Sequence, residues 1–239
     1  PDVQFTPNGQ CFPFYTYDED GSNRRENISD WALAEFRERY GNGPSKPPGG
    51  SPPLAGQAPP PGGLGSTITK WDIFHYLYAL LHHPQYREKY QANLRRELPR
   101  IPFAPDFWGF AAAGKRLAEL HVHYEDQPEY PLAMIEAEDR PLNWRVEKMK
   151  YNKDKTAIIY NDFLILDNIP TEVHEYRLGN RSALDWIVDQ YRIKTDARSG
   201  IVNDPNRADD PEYIVRLIKK IVTVSLETVK IVADLPVME

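Results

Sequence analysis

RVEKMKYNKDKTAIIYNDFLILDN, residues 145–168, is where the periodicity of the chain changes. Upstream, apolar residues recur at helical intervals. Here they gather in short runs of strand composition, 145–151, 156–160 and 162–168. The polar pieces NKDK and ND between the runs are hairpin-like. The stretch therefore predicts a small antiparallel sheet in a chain that is otherwise mostly helical.

Working back from it, residues 105–125 read as a helix with Asp106 near its start. Residues 84–98 read as another, opened by Pro84 and ended by Pro99 and Pro102. ITKWDIFHYLYALLHH, residues 68–83, spaces Trp71, Phe74, Tyr78 and Leu81 helically, with Thr69 as a candidate cap. These three helices are expected to pack together. Residues 29–40 form a further helix, with Ser29 as N-cap, Trp31, Leu33, Ala34 and Phe36 as its apolar stripe and Gly41 as its stop. QCFPFYTYD, residues 10–18, alternates like an edge strand carrying Pro13. Between them, residues 42–66 hold eight prolines and seven glycines, the composition of a flexible, partly extended loop.

Working forward, TEVHEYRL (171–178) alternates again and reads as extended. Helix 181–191 follows, anchored by Leu184, Trp186 and Ile187, and then a polar loop over 194–206. Residues 210–235 close the chain as a long helix with a broad Ile/Val/Leu face. The fold class is α+β: a helical subregion, a small antiparallel sheet and a long C-terminal helix.

With 239 residues and 41% hydrophobic content, the chain can bury a sizeable core. It has no apolar run of the roughly 18 residues that a membrane span needs. Its start has no basic-then-apolar signal pattern. Cys11 is the only cysteine, which excludes an internal disulfide and a cysteine-cluster metal site and points to the cytoplasm. A start at Pro1 rather than Met reads as a piece cut from something longer. The formal net charge of −6 counts against a free-standing nucleic-acid binder, which is usually basic. Uneven charge, or phosphate contacts supplied by a larger parent, would relax that argument.

Several chemistries are missing. There is no GxxxxGK[ST] loop, and the GxG of Gly63 and Gly65 sits in the Pro-rich segment without a preceding strand. Asp204-Pro205 lacks the second proline and aromatic of an amino-group methyltransferase motif. No acid stands two places before a lysine, so the usual nuclease tripeptide is absent. The close histidines, His82 with His83 and His121 with His123, lack the i, i+4 spacing of a helical zinc pair. Glu136 and Glu138 would share a strand face if extended, but no acid–base partner is recognisable nearby.

Three basic groups are candidates for binding. Residues 84–116 carry seven basic residues, Arg95 and Arg96 among them, against three acids. That excess could face phosphates, or be an ordinary solvated helix face. Lys148 and Lys150, with Lys153 and Lys155, would stand on the first hairpin, where lysines also protect strand edges. Around the 181–191 helix, Asn180, Arg181, Lys194, Thr195, Arg198, Ser199 and Asn203 offer donors suited to phosphates and base edges. A helix cap and turns are the local alternative.

Four stretches carry a resemblance: ENISDWALAEFRERYG, ITKWDIFHYLYALLHHPQYREKYQANLRRELPRIPFAPDFWGF, LAELHVHYE and YRLGNRSALDWIVDQYRIKTDARSGIVNDPN. Together they resemble the C-terminal specificity domain of type ISP restriction-modification enzymes, over about residues 9–232 with the Pro/Gly segment outside. In that family a nuclease, a helicase-like translocase and an adenine-N6 methyltransferase share one polypeptide with this domain. The resemblance implies one specificity domain over 1–239, with a helical part at about 68–125, a sheet-containing part at about 131–206 and a closing helix at about 210–235. It implies a module without catalysis of its own, which would dock double-stranded DNA and select the sequence that the methyltransferase and nuclease domains act on. S-adenosylmethionine, ATP and Mg²⁺ would belong to those other domains. The acidic charge favours an alternative, an interaction module that braces methyltransferase against translocase and barely touches DNA, and salt dependence of DNA binding separates the two.

Overall fold

Side-chain caps start the helices of the N-terminal part in the computed structural model, which describes residues 12–41, 67–94 and 99–238. The described residues divide into two compact units, one within Pro1–Ala118 plus Asp234–Glu239, the other Glu119–Ala233. Cys11, the 42–66 segment, and Arg95 and Arg96 lie outside the described residues.

The first unit opens with a two-stranded antiparallel ribbon, β1 (Tyr15–Thr16) with β2 (Arg25–Glu26). The Ser29 hydroxyl accepts the Ala32 N–H and starts α1, Asp30–Tyr40, which stops at Gly41. Thr69 and Asp72 form a reciprocal capping box at the head of α2, Lys70–His82. Pro84 is the first residue of α3, Pro84–Leu94. Asp106 accepts the Gly109 N–H at 2.8 Å at the head of α4, Phe107–Val122.

The α1 stripe differs from expectation: Phe36 is buried, while Trp31 is 72% exposed. The buried face of α2 is Ile73, Tyr76, Ala79 and Leu80, one step round from the expected Trp71, Phe74, Tyr78 and Leu81. This helix is apolar nearly all round, so its own periodicity does not select a face. Trp71 instead stacks on Phe14 with ring centroids 3.7 Å apart.

Two buried tyrosines and a partly buried one organise the proline-broken segment between α3 and α4. Tyr86 donates to the Arg100 carbonyl, Tyr76 to that of Pro102 and Tyr40 to that of Ala104, at 2.8, 2.6 and 2.6 Å. The Tyr76 hydroxyl also accepts the Ala104 N–H. Backbone groups with no ladder partner are thereby satisfied inside an aromatic core.

The second unit holds a four-stranded antiparallel sheet of β3 (Ala133–Glu136), β4 (Lys150–Tyr151), β5 (Ile158–Ile159) and β6 (Leu164–Asp167), in the order β3-β6-β5-β4. The three expected strands are present but short, and β3 adds an edge. Asn161 accounts for one tight turn: its side-chain oxygen accepts the Phe163 and Leu164 N–H groups.

Residues 171–175 are not extended. They form a 3-10 turn, Thr171–Glu175, that buries Val173. Pro170, at φ −61, opens this turn, and Val173 donates back to its carbonyl at 3.2 Å. Only β7, Arg177–Leu178, keeps the expected strand character, paired with β8, Arg181–Ser182.

Helix α5 spans Ala183–Gln190, and β9 (Lys194–Thr195) pairs with β10 (Val202–Asn203) beyond it. Helix α6, Tyr213–Ala233, is about 30 Å long at the usual rise per residue. It buries Ile214, Leu217, Ile218, Ile221 and Val222 in one core with Ile158, Leu164 and Leu166 of the sheet and Leu184 of α5. Among the described residues no helix is long and apolar enough to cross a membrane.

Candidate nucleic-acid interface

The candidate residues around α5 are placed by two turns and a cap. Strands β7 and β8 are joined by Gly179 and Asn180, with Gly179 at φ 71, the glycine-requiring first position of a II′-type hairpin turn. Ser182 then caps α5: its hydroxyl accepts the Asp185 N–H at 3.0 Å, and Asp185 accepts the Ser182 N–H at 3.1 Å. Asn180 is therefore a turn residue, and its carbonyl accepts a hydrogen bond from Arg177.

Trp186 does not join the main core. It donates to the Leu178 carbonyl at 3.2 Å, beneath the turn, and carries the Arg181 guanidinium 5.2 Å from its ring centroid. Leu184 is the fully buried anchor of the helix, with Ile187, Val188 and Tyr191 packed beside it.

Asp189 gathers the cations. Its carboxylate receives Arg192 at 2.8 Å, Arg181 at 3.3 Å and Lys194 at 3.7 Å. Such partly exposed pairs are worth about 0–1 kcal/mol each, so their consequence is orientation rather than stability. Three cations on one carboxylate leave positive charge in excess on this face. A second pair, Lys155 with Asp185 at 3.0 Å, extends the group. Burial works to raise the Asp185 carboxyl, but Lys155 and Ser182 outweigh it and hold it below the ordinary carboxylate value.

The expected polar loop after α5 is a hairpin. Thr195 pairs with Val202 and Lys194 with Asn203, and the Ile193 N–H donates to the Glu147 carbonyl at 2.9 Å at its base. At the tip, Asp196 accepts the Arg198 N–H and both the N–H and hydroxyl of Ser199, at 3.0, 2.6 and 2.8 Å. These bonds lower the Asp196 carboxyl from its ordinary value. Ser199 is consequently spent on the turn. The exposed Arg198 guanidinium has no hydrogen-bond or ion-pair partner among the described residues. Ile201 and Val202 are exposed beside it. A two-stranded ribbon of this kind fits the DNA major groove.

Lys150 lies on the edge strand β4 and Lys148 just before it, both exposed on either side of buried Met149. The structure thus brings together Asn180, Arg181, Lys194, Thr195, Arg198, Ser199 and Asn203. Glu147, at the hairpin base, draws the Lys148 segment alongside.

Asp189 and Arg192 are functional candidates that the sequence does not single out. Nothing in the sequence marks the contact of Arg207 with Tyr213, 3.3 Å from guanidinium carbon to ring centroid. Beside it, the Asn206 side chain pairs with both backbone groups of Val146, and Arg145 meets Asp204 at 2.7 Å. Arg145, Asp204, Asn206 and Arg207 edge a cleft of about 400 Å³ walled by Trp144. Among the described residues no group of three His, Cys, Asp or Glu is placed to hold a metal ion. The histidines have local partners, such as His82 on the Tyr78 carbonyl and His121 on Thr228.

Similar solved structures share this architecture. A nuclease-deletion mutant of the type ISP restriction-modification enzyme LlaGI, in complex with a DNA substrate mimic, is 38% identical with a TM-score of 0.66, covering 74% of this chain and 17% of its own. The ATP-dependent type ISP restriction-modification enzyme LlaBIII bound to DNA is 31% identical with a TM-score of 0.73, covering 94% and 13%. DrdV in a cryoEM structure of its DNA complex is 35% identical with a TM-score of 0.74, covering 96% and 22%. The chain thus spans less than a quarter of the length of each. No curated protein matches it. The type ISP C-terminal specificity domain family matches residues 1–217, and the chain belongs to that family.

Proposed function

We propose that this chain is a DNA target-recognition module, which docks duplex DNA and selects the sequence that the rest of a restriction-modification polypeptide methylates at adenine N6 or cleaves. The observation that carries this is the Asp189-centred cluster of Arg181, Arg192 and Lys194 beside the β9–β10 hairpin, with the Arg198 side chain at the tip. Membership of a specificity-domain family, with structural relatives solved on DNA, supports it. In this reading the two units serve as one specificity domain without catalysis of its own, acting in the cytoplasm. S-adenosylmethionine, ATP and Mg²⁺ belong to methyltransferase and helicase-like domains of the parent.

The net charge of −6 favours a second reading, a coupling module that braces those domains and barely touches DNA. Fluorescence anisotropy of this chain with duplex DNA at low and moderate salt separates them. Phosphate contacts give affinity that falls steeply with salt. Absence of binding at low salt would favour the coupling role.

A further inference from the structure

Arg207 differs from the other basic side chains of its surroundings. Arg145 faces Asp204 at 2.7 Å, and Arg216 grips Asp210 at 2.5 and 2.7 Å. Lys220 donates to the Glu125 carbonyl at 2.5 Å, while the Glu125 carboxylate takes the hydroxyls of Tyr124 and Tyr213. No carboxylate or carbonyl engages the Arg207 guanidinium among the described residues. It lies over the Tyr213 ring at 3.3 Å. A guanidinium stacked on an aromatic face keeps its N–H edges outward, as a fork matched to two oxygens of one anion.

The position of Arg207 is also distinctive. It lines both the 400 Å³ cleft walled by Trp144 and Arg145 and a second of about 250 Å³ where Arg216 and Lys220 stand with Asp210 and Glu125. Its segment is pinned on both sides, by Asn206 on Val146 and by Arg216 on Asp210. A surface stack alone would be worth about 0.5–1 kcal/mol, and Arg145 and Arg216 are each already paired with a carboxylate, which leaves Arg207 as the guanidinium open to an anion.

We propose that Arg207 grips a backbone phosphate of duplex DNA, with Tyr213 as its positioning residue. This rests on the reading of the chain as a DNA-recognition module. Phosphate is the fitting partner because Arg207 sits in a concavity on a pinned segment. Base edges lie roughly 8.5 Å down the major groove and are met by projecting elements, whereas phosphates form the outer ridge of the duplex. The contact would position the module without reading sequence.

The test is anisotropy of this chain and of its Arg207→Gln and Arg207→Lys variants, over a salt series and a panel of duplexes, with thermal melts as the folding control. Arg207→Gln is expected to make the salt slope shallower by about 0.9, the value of one phosphate, and to weaken all duplexes alike. Arg207→Lys is expected to keep the slope while binding less tightly than the parent. An unchanged slope in Arg207→Gln would overturn the proposal while leaving DNA recognition intact. Relaxed preference at one base pair would overturn it in favour of guanine reading. A parent chain without salt-dependent binding would remove the recognition reading, and this contact with it.

Discussion

The Asn206 side chain engages the Val146 backbone at both ends. Its amide nitrogen donates to the Val146 carbonyl and its oxygen accepts the Val146 N–H, each at 2.8 Å. Val146 is fully buried, so no solvent replaces either bond. An unsatisfied buried group costs about 1–3 kcal/mol. Asn206→Ala should therefore destabilise the protein by at least that amount in urea denaturation. Arg145→Ala, which breaks an exposed ion pair with Asp204, should cost under about 1 kcal/mol. Equal effects would show that Asn206 is not the anchor of this segment.

Lys194 and Arg198 bear directly on function. Lys194→Ala and Arg198→Ala should each weaken binding to duplex DNA and flatten its salt dependence by up to about 0.9 per lost phosphate contact. If Arg198 reads a base instead, its loss should cost about 1–3 kcal/mol at one base pair. Asp189→Asn should act in the opposite sense, since it removes the carboxylate that Arg181, Arg192 and Lys194 share. Anisotropy over a salt series and a panel of duplexes reads all three. Unchanged affinity and site choice in both cation variants would count against this face.

Gly114 sets the approach of α4 to α2. A Cβ on it would lie 1.8 Å from the His75 carbonyl oxygen, inside any real contact distance. Alanine would gain roughly 1 kcal/mol of helix propensity. Overpacking against backbone typically costs about 1–3 kcal/mol and should prevail. Gly114→Ala should lower the urea midpoint, whereas a rise would mean that the helices separate easily.

Elements whose ends carry caps or prolines are legible from sequence: Ser29, Thr69 and Pro84 all mark helix starts within a residue. Faces were less legible. Trp31 and Trp186 are apolar at helical spacing, yet one is exposed and the other lies under a turn, because hydrophobicity alone does not choose between core and local cover. The alternation in 171–178 does not make a strand throughout, because the Val173 N–H bonds back to the Pro170 carbonyl and Val173 is buried inside the resulting turn. Of the interface, the individual cations were visible, but not their convergence on Asp189. That depends on how the β7–β8 turn folds back along α5, a tertiary fact.

His83 makes the first unit sensitive to acid. It is 6% exposed, its Nε2 lies 3.2 Å from the Pro236 carbonyl, and its Nδ1 has no partner among the described residues. Nε2 must donate to that carbonyl, so the neutral ring is satisfied there and a proton on Nδ1 would be buried without an acceptor. Burial lowers the His83 pKa from its ordinary value of 6.5, and the Pro236 carbonyl only partly opposes this. The unfolded chain therefore takes up a proton at a higher pH than the folded one. The stabilising contribution of neutral His83 is complete above about pH 6.5 and is lost progressively below it, until the folded ring is itself protonated. His83→Gln retains an N–H for the Pro236 carbonyl and cannot titrate. Urea midpoints of the two proteins should be closest near pH 5 and diverge in favour of the parent towards pH 7.5. Parallel pH profiles would exclude His83 as a source of the acid sensitivity.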